Sequence, residues 1–442
     1  MGINTINFIS LLSIINLRRY VMSTIDRREI APGVFFSTVK DSRFKTMKIT
    51  AVALLPLKKD TVAAYALLSQ VLTRSCKEYP DFTALSKKLS SLYGASLAGG
   101  VQKIGESQAL TFSVSGIDDR YALTDESISE ELSSILCKVL FEPLASDDAF
   151  DTDEVEQERR QLIEFADSEL SDKRVYAGNR LLEVMCGSEP YGLRKYGSVE
   201  LINEVTSKDL FKAWQQMLKG ATFEIIYVGD SSSETASRVF TQQFSAVERE
   251  PFKLSTTRVD TAESVLEHTE TMDVSQAKLM MGFRTACAGE DEGVTAMRLM
   301  TTILGGSAHS KFFVNVREKQ SLCYYCAARY QRTKGILTVE SGVEFENIEK
   351  TRNSVMAEIE AMKRGEITDD EIRFAKLAVA NSFVSICDNV GGIAGWYISQ
   401  LGDGRLLSVE QAIADFNAIT KEQIIEAANK LTLDTVYVLK GE

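Results

Sequence analysis

The sequence predicts an α+β protein of two similar halves, each a largely antiparallel sheet packed with helices, the two closing as a clam-like shell. Three observations carry this prediction. The same order of strands and helices occurs twice along the 442 residues. Strands come in close pairs joined by short turns, which favours hairpins, while the helices are grouped between them. The stretch 244–264 holds Pro251, mixed charges and a Ser-Thr-Thr run without helical or strand period, so it reads as a linker. The halves are then 22–243 and 265–442.

Taken in order, Ile49–Leu57 alternates as a strand, Lys58-Lys59-Asp60-Thr61 turns the chain, and Val62–Leu72 is a long apolar helix. Its counterparts are strand Gln276–Phe283, an acidic loop at Ala288–Gly293 and helix Val294–Leu304. Helix Phe82–Tyr93 and the strand pair Ser96–Lys103 and Gln108–Gly116 match helix Lys311–Lys319 and strands Ser321–Arg332 and Gly335–Val343. Ser127–Leu140 is answered by Ile348–Arg364. Ser146–Val155 and Ile367–Ile372 both read as capped helix starts, a Ser or Thr followed by acidic first-turn residues. Val205–Leu210 opens a helix leading to strand Phe223–Val228, as Ile419–Ile424 leads to Thr435–Leu439. Five matches in one order argue for duplication. Gly391-Gly392, next to Asn389, predicts a bend in the last long helical region.

Composition excludes several classes. With 44% apolar and 25% charged residues the chain is an ordinary globular protein of ample length for two cores. A net charge of −12 without a dense Lys/Arg run gives no footprint for nucleic acid. Seven scattered cysteines, an odd number, point to reduced thiols and a cytoplasmic location. Cys323 and Cys326 lie in an alternating run and read as buried strand thiols rather than a metal or redox pair. The apolar run Phe8–Leu17 is too short to span a bilayer, and Arg18 and Arg19 follow it, the wrong order for a signal peptide. Residues 1–21 read as an upstream extension before Met22.

The most informative stretch is Leu304–Tyr325. Gly305 and Gly306 end an apolar helix and read first as its C-cap, second as a loop touching substrate. His309 follows in the same loop, either exposed and inert or a weak substrate contact. Arg317 and Tyr324 flank the junction of a short helix and a strand. They are either a surface arginine and a strand tyrosine, or donors to the carbonyls of a bound peptide. The chain has two histidines, His268 and His309, neither with a second histidine one helical turn away. No local zinc triad can be built, and no Ser or Cys nucleophile has a histidine base in a recognisable motif. The acidic run Asp147–Glu158 reads as helix capping and a solvated face.

The wording Leu304-Gly305-Gly306, Val316-Arg317-Glu318-Lys319 and Leu322-x-Tyr324 resembles the C-terminal half of insulinase/pitrilysin-type zinc peptidases, the inverzincins. Glu156–Glu164 and Pro190-Tyr191-Gly192 are similar to the first half, so the likeness covers nearly the whole chain from Arg27. The chain's length resembles the mitochondrial-processing-peptidase branch, and among bacterial members the peptidase-like proteins associated with aminopentanol modification of elongation factor P. The family's zinc helix carries His-x-x-Glu-His. Here the matching positions are Ala66, Ser69 and Gln70, and a distal ligand would fall at or beside Glu164–Phe165. The resemblance therefore implies a zinc-free subunit that binds no metal itself and supplies Arg317 and Tyr324 in trans, while zinc resides in a partner of the same fold. The alternative is a non-enzymatic scaffold or peptide-binding protein, since fold does not guarantee chemistry.

Overall fold

The computed structural model describes residues 25–442; the Phe8–Leu17 run and the extension at 1–21 lie outside the described residues. The first half runs β1 (Asp26–Ala31), β2 (Val34–Lys40), β3 (Thr46–Pro56), α1 (Val62–Val71), α2 (Phe82–Ser91), β4 (Ser96–Ile104), β5 (Ser107–Ile117) and α3 (Ile128–Phe141). It continues through a short hairpin, β6 (Ala145–Ser146) and β7 (Ala149–Phe150), to α4 (Thr152–Ser171), α5 (Lys173–Met185), α6 (Val199–Glu204), α7 (Ser207–Gly220), β8 (Thr222–Gly229) and α8 (Glu234–Ser245). Residues 248–260 have no regular structure. The second half runs β9 (Leu266–Thr271), β10 (Ala277–Arg284), α9 (Val294–Gly305), a π-helix (Phe312–Lys319), β11 (Cys323–Gln331) and β12 (Ile336–Val343). Then come α10 (Ile348–Lys363), α11 (Asp369–Ile386), α12 (Val390–Ile398), α13 (Val409–Ala418), α14 (Lys421–Asn429) and β13 (Thr432–Lys440).

The duplication is visible in the sheets. One has the order β1-β2-β8-β3-β5-β4 and the other β11-β12-β10-β13-β9. Apart from β1 these are the same sheet, each with one parallel pair, β2 with β8 and β13 with β9. All other pairs in the two sheets are antiparallel. Helix starts confirm the local chemistry: Thr206 with Asp209, Thr368 with Glu371 and Thr420 with Gln423 form capping boxes. One expected start is corrected. Asp147 and Asp148 have positive φ and turn the β6–β7 hairpin, and the helix behind them is capped by Asp151, not by a Ser or Thr. Acidic residues suit both a helix's first turn and a left-handed turn, so composition alone did not separate the two.

Strand β3 is buried almost throughout because both its faces are covered. Met47, Ile49, Ala51, Ala53 and Leu55 pack with the first half's own helices. Val52 and Leu54, with Ile226 and Val228 of β8, join the core of the second half. The cover on that side is α12, which packs on β3 and β8, while α5 of the first half packs on β10 and β13. Each half thus lays one helix across the other's sheet. A break of 118° between α11 and α12 makes this possible. Asn389 caps α12 by accepting a hydrogen bond from the Gly392 N–H at 2.7 Å, and a Cβ on Gly392 would stand 2.2 Å from the Ile386 carbonyl oxygen. That is the bend the glycine pair predicts.

Candidate functional site: a filled motif helix and an exposed arginine–tyrosine edge

Helix α1, Val-Ala-Ala-Tyr-Ala-Leu-Leu-Ser-Gln-Val, is apolar because it lies between the first sheet and its covering helices. Ala66 and Ser69 have no exposed surface. The Ser69 hydroxyl donates to the Ala66 carbonyl at 2.8 Å, so it is already committed. Strand β4 presses on this turn through Gly99, where an added Cβ would fall 1.9 Å from the Ser69 carbonyl oxygen. Gln70 alone of the three reaches a cleft of about 370 Å³, walled by Gly100 and Val101 of β4, Gln161, Leu162 and Phe165 of α4, and Lys195 and Tyr196. At the distal-ligand position Glu164 is exposed, while Phe165 lines the cleft with its ring edge-on to Tyr196 at 6.0 Å.

These residues do not fit a zinc ion. Ala66 has no donor, Ser69 is sealed and spent, Gln70 is a neutral amide, and an aromatic ring stands where a carboxylate would be needed. Among the described residues no group of three or more His, Cys, Asp or Glu side chains is placed to hold a metal.

The second half presents a different surface. Gly305 is buried where α9 crosses β11, and a Cβ there would stand 2.5 Å from the Ala328 nitrogen and 2.7 Å from the Phe312 ring. Its smallness serves this crossing. Gly306 ends the helix with φ −96°, not in the left-handed region usual for a glycine cap. His309 is exposed and stacks on Phe374 with centroids 4.8 Å apart.

Beyond this loop the expected short helix is wound as a π-helix, a form often found at functional sites. It ends on Ser321 at φ +52°, whose N–H reaches back to the Arg317 carbonyl at 3.1 Å. The Arg317 guanidinium lies 4.6 Å from the Phe313 ring centroid and 3.7 Å from the Glu318 carboxylate. Tyr324 is the extra residue of a β-bulge: Cys323 pairs with Val343 and Tyr325 with Gly342, leaving Tyr324 unpaired and turned outward. Its side chain is 53% exposed on β11, an edge strand, and its hydroxyl donates to Glu344. That bond raises the phenol's pKa. The bulge also brings the buried thiols of Cys323 and Cys326 together, and their hydrogen bond lowers Cys323 to about 7, with the nearby Arg317 charge acting in the same direction. Arg317 and Tyr324 therefore sit on either side of one turn, each resting on a local carboxylate that a better acceptor could replace. The Gln161–Phe165–Tyr196 cleft was not anticipated from the sequence; only the position of Phe165 hinted at it.

A duplicated α+β fold, with its motif helix closed and a donor pair at an open sheet edge, defines a peptidase-like protein without metal ligands of its own. The family profile described as "Peptidase M16 inactive domain" matches residues 204–379. The chain is 32% identical over 409 residues to the "Probable inactive metalloprotease YmfF" of Bacillus subtilis (strain 168), covering 92% of this chain and 96% of that one. A conserved protein from Enterococcus faecalis V583 superposes with a TM-score of 0.87 at 28% identity, over 95% of this chain and 99% of that chain. A peptidase M16 inactive domain from Pseudomonas fluorescens shares the fold at a TM-score of 0.77 and 20% identity, over 95% and 98%. The chain belongs to the M16 (insulinase) peptidase family, as a member lacking the zinc motif.

Proposed function

We propose that this chain is the zinc-free subunit of a paired M16 peptidase, gripping an extended peptide while a partner of the same fold supplies His-x-x-Glu-His and its zinc. The observation that carries the reading is the outward Tyr324 on an open strand edge, with Arg317 across the same turn, in a chain whose own motif helix is closed. The edge of β11 can pair with a peptide backbone. Arg317 and Tyr324, exchanging Glu318 and Glu344 for peptide carbonyls, would hold the segment to be cut and donate to oxygen as negative charge develops there. Cleavage is left to the partner.

The test is to co-express the chain with a zinc-motif chain of the same fold and follow turnover of a peptide pool. Arg317→Ala and Tyr324→Phe should each lower turnover by roughly 100-fold, the scale of one lost oxyanion donor, with the complex intact. Unchanged turnover in both variants would overturn the clamp. One observation favours a second reading, a non-enzymatic peptide-binding scaffold: the Tyr324 hydroxyl is already engaged by Glu344. In that case peptide binds but no pairing with a zinc-motif chain yields cleavage.

A further inference from the structure

The seam where α12 crosses the first sheet is not filled. A cavity of about 540 Å³ remains there, between β3, β4 and β5 on one side, α12 on another, and the β11–β12 turn at its rim. Two features create it. Gly391 and Gly395 stand one helical turn apart on α12 and both line the space. A Cβ on Gly395 would meet no atom within 4 Å, and one on Gly391 would meet only the Asn389 side chain. Opposite them the sheet changes character: Lys48, Thr50, Thr111 and Ser113 replace the apolar residues that β3 and β5 use elsewhere.

The polar groups of this floor lack partners. Thr50 is 2% exposed and its hydroxyl makes no hydrogen bond. Leaving such a group bare costs about 1–3 kcal/mol unless something occupies the space beside it. Lys48 shares that face of β3, is half-buried, and has no ion-pair or hydrogen-bond partner among the described residues; burial alone lowers its pKa. The lining carries Lys48, Lys103 and Arg332 and not one carboxylate, in a chain whose net charge is −12. Two of these cations are spoken for. Lys103 donates to the carbonyls of Tyr191 and Leu193 at 2.8 Å, and Arg332 is held by Asp403 at 2.5 Å. One free ammonium and a set of hydroxyls remain, beside the apolar surface of Ile104, Ala394 and Ile398.

That donor set suits one negative charge carried on an apolar body. A phosphate calls for more: an arginine fork, or a nest of backbone N–H groups. We propose that this interdomain cavity binds a small organic carboxylate, its anionic end on Lys48 and the hydroxyls of Thr50, Thr111 and Ser113, its apolar end against α12. The volume is within the range of small-molecule sites. The carboxylate belongs either to a free organic acid or to the C-terminus of a short peptide.

The test uses the full chain and four probes: isobutyrate, N-acetyl-alanyl-alanine, the C-terminal amide of that peptide, and inorganic phosphate. Binding is read by thermal shift and by protection of Lys48 from an amine-modifying reagent, located by peptide mapping. At least one of the two acids should raise Tm and slow Lys48 modification, and which of them does so identifies the source. The amide and phosphate should do neither. Lys48→Met should weaken acid binding roughly tenfold or more, the value of a charge-assisted contact. Gly395→Leu should block the cavity, and Gly395→Ala, which preserves the helix, should weaken binding if the larger variant does not fold. Lys278→Met, a half-buried lysine on β10 outside the cavity, should change nothing. No response to either acid up to millimolar concentration, equal binding of the amide or phosphate, or full binding by Lys48→Met would overturn the proposal.

Discussion

The two seams between the halves answer one topological problem in opposite ways. Where α5 lies on the second sheet, the seam is tight and charged. Arg284 bridges Glu189 at 2.8 Å and Asp434 at 2.7 Å, and Lys334 bridges Glu189 at 2.5 Å and Glu106 at 2.7 Å. All five side chains are nearly without exposure. Nearer the solvent, Glu270 accepts from Arg180, Tyr176 and Tyr437. Where α12 lies on the first sheet, the seam is apolar and glycine-rich, and it leaves the cavity described above. The duplicated fold requires a helix at each place but does not dictate how it is packed. Directional, buried ion pairs specify one seam; small residues leave room at the other. A duplicated chain can thus keep one seam for alignment and free the second for another use.

The comparison breaks most sharply at Glu189. Burial pushes its carboxyl up, but hydrogen bonds from Arg284 and Lys334 outweigh this and hold it ionised. Glu189→Ala would strand two buried cations, and urea denaturation should show a loss of about 3–5 kcal/mol. At the other seam the largest effect available is an apolar one. Ile393 of α12 has no exposed surface, and Ile393→Ala should cost about 2–4 kcal/mol. If the order of these two losses were reversed, the charged network would not be what aligns the halves.

Much of this plan was legible in the sequence because its signals are local. Thr368 with Glu371 and Thr206 with Asp209 announce their helices within four residues, and the repeated order of strands needed only periodicity. The degenerate positions Ala66, Ser69 and Gln70 could be placed for the same reason. Contacts between the halves could not. Lys48 and Thr50 are visible as polar residues in a buried strand, but their meaning depends on α12, which lies about 340 residues further along the chain. Tyr324 was marked by its neighbours, yet its outward direction comes from a bulge with no sequence sign of its own. β1 and β2 escaped notice because their partners are distant or at the sheet's edge.

A weaker effect separates the seams by pH. Burial tends to raise the Glu270 carboxyl, but hydrogen bonds from Arg180, Tyr176 and Tyr437 bring it down to about 2. A depressed carboxyl stabilises the fold fully above the unfolded pKa, near 4.5 for this group, and loses that contribution as pH falls from there towards 2. Acid titration of stability should show this slope, and Glu270→Gln should flatten it. The α12 seam offers no such group in direct contact, so Ile393→Ala should leave the slope unchanged.

The smallest expected effects have opposite signs at the two seams. Gly395 lies inside α12 with open space where a Cβ would go, so Gly395→Ala adds helix propensity without a clash and should raise stability by about 1 kcal/mol. Gly282 lies on β10 beneath α5, and a Cβ there would stand 2.6 Å from the Met185 sulfur and 3.6 Å from Leu181. Met185 is itself buried and has little room to retreat. Gly282→Ala should therefore lower stability by about 1 kcal/mol, the mild end of overpacking. Denaturation midpoints measured side by side would test the contrast directly. A shared sign would mean that both seams are packed alike, and that the space under α12 closes in solution.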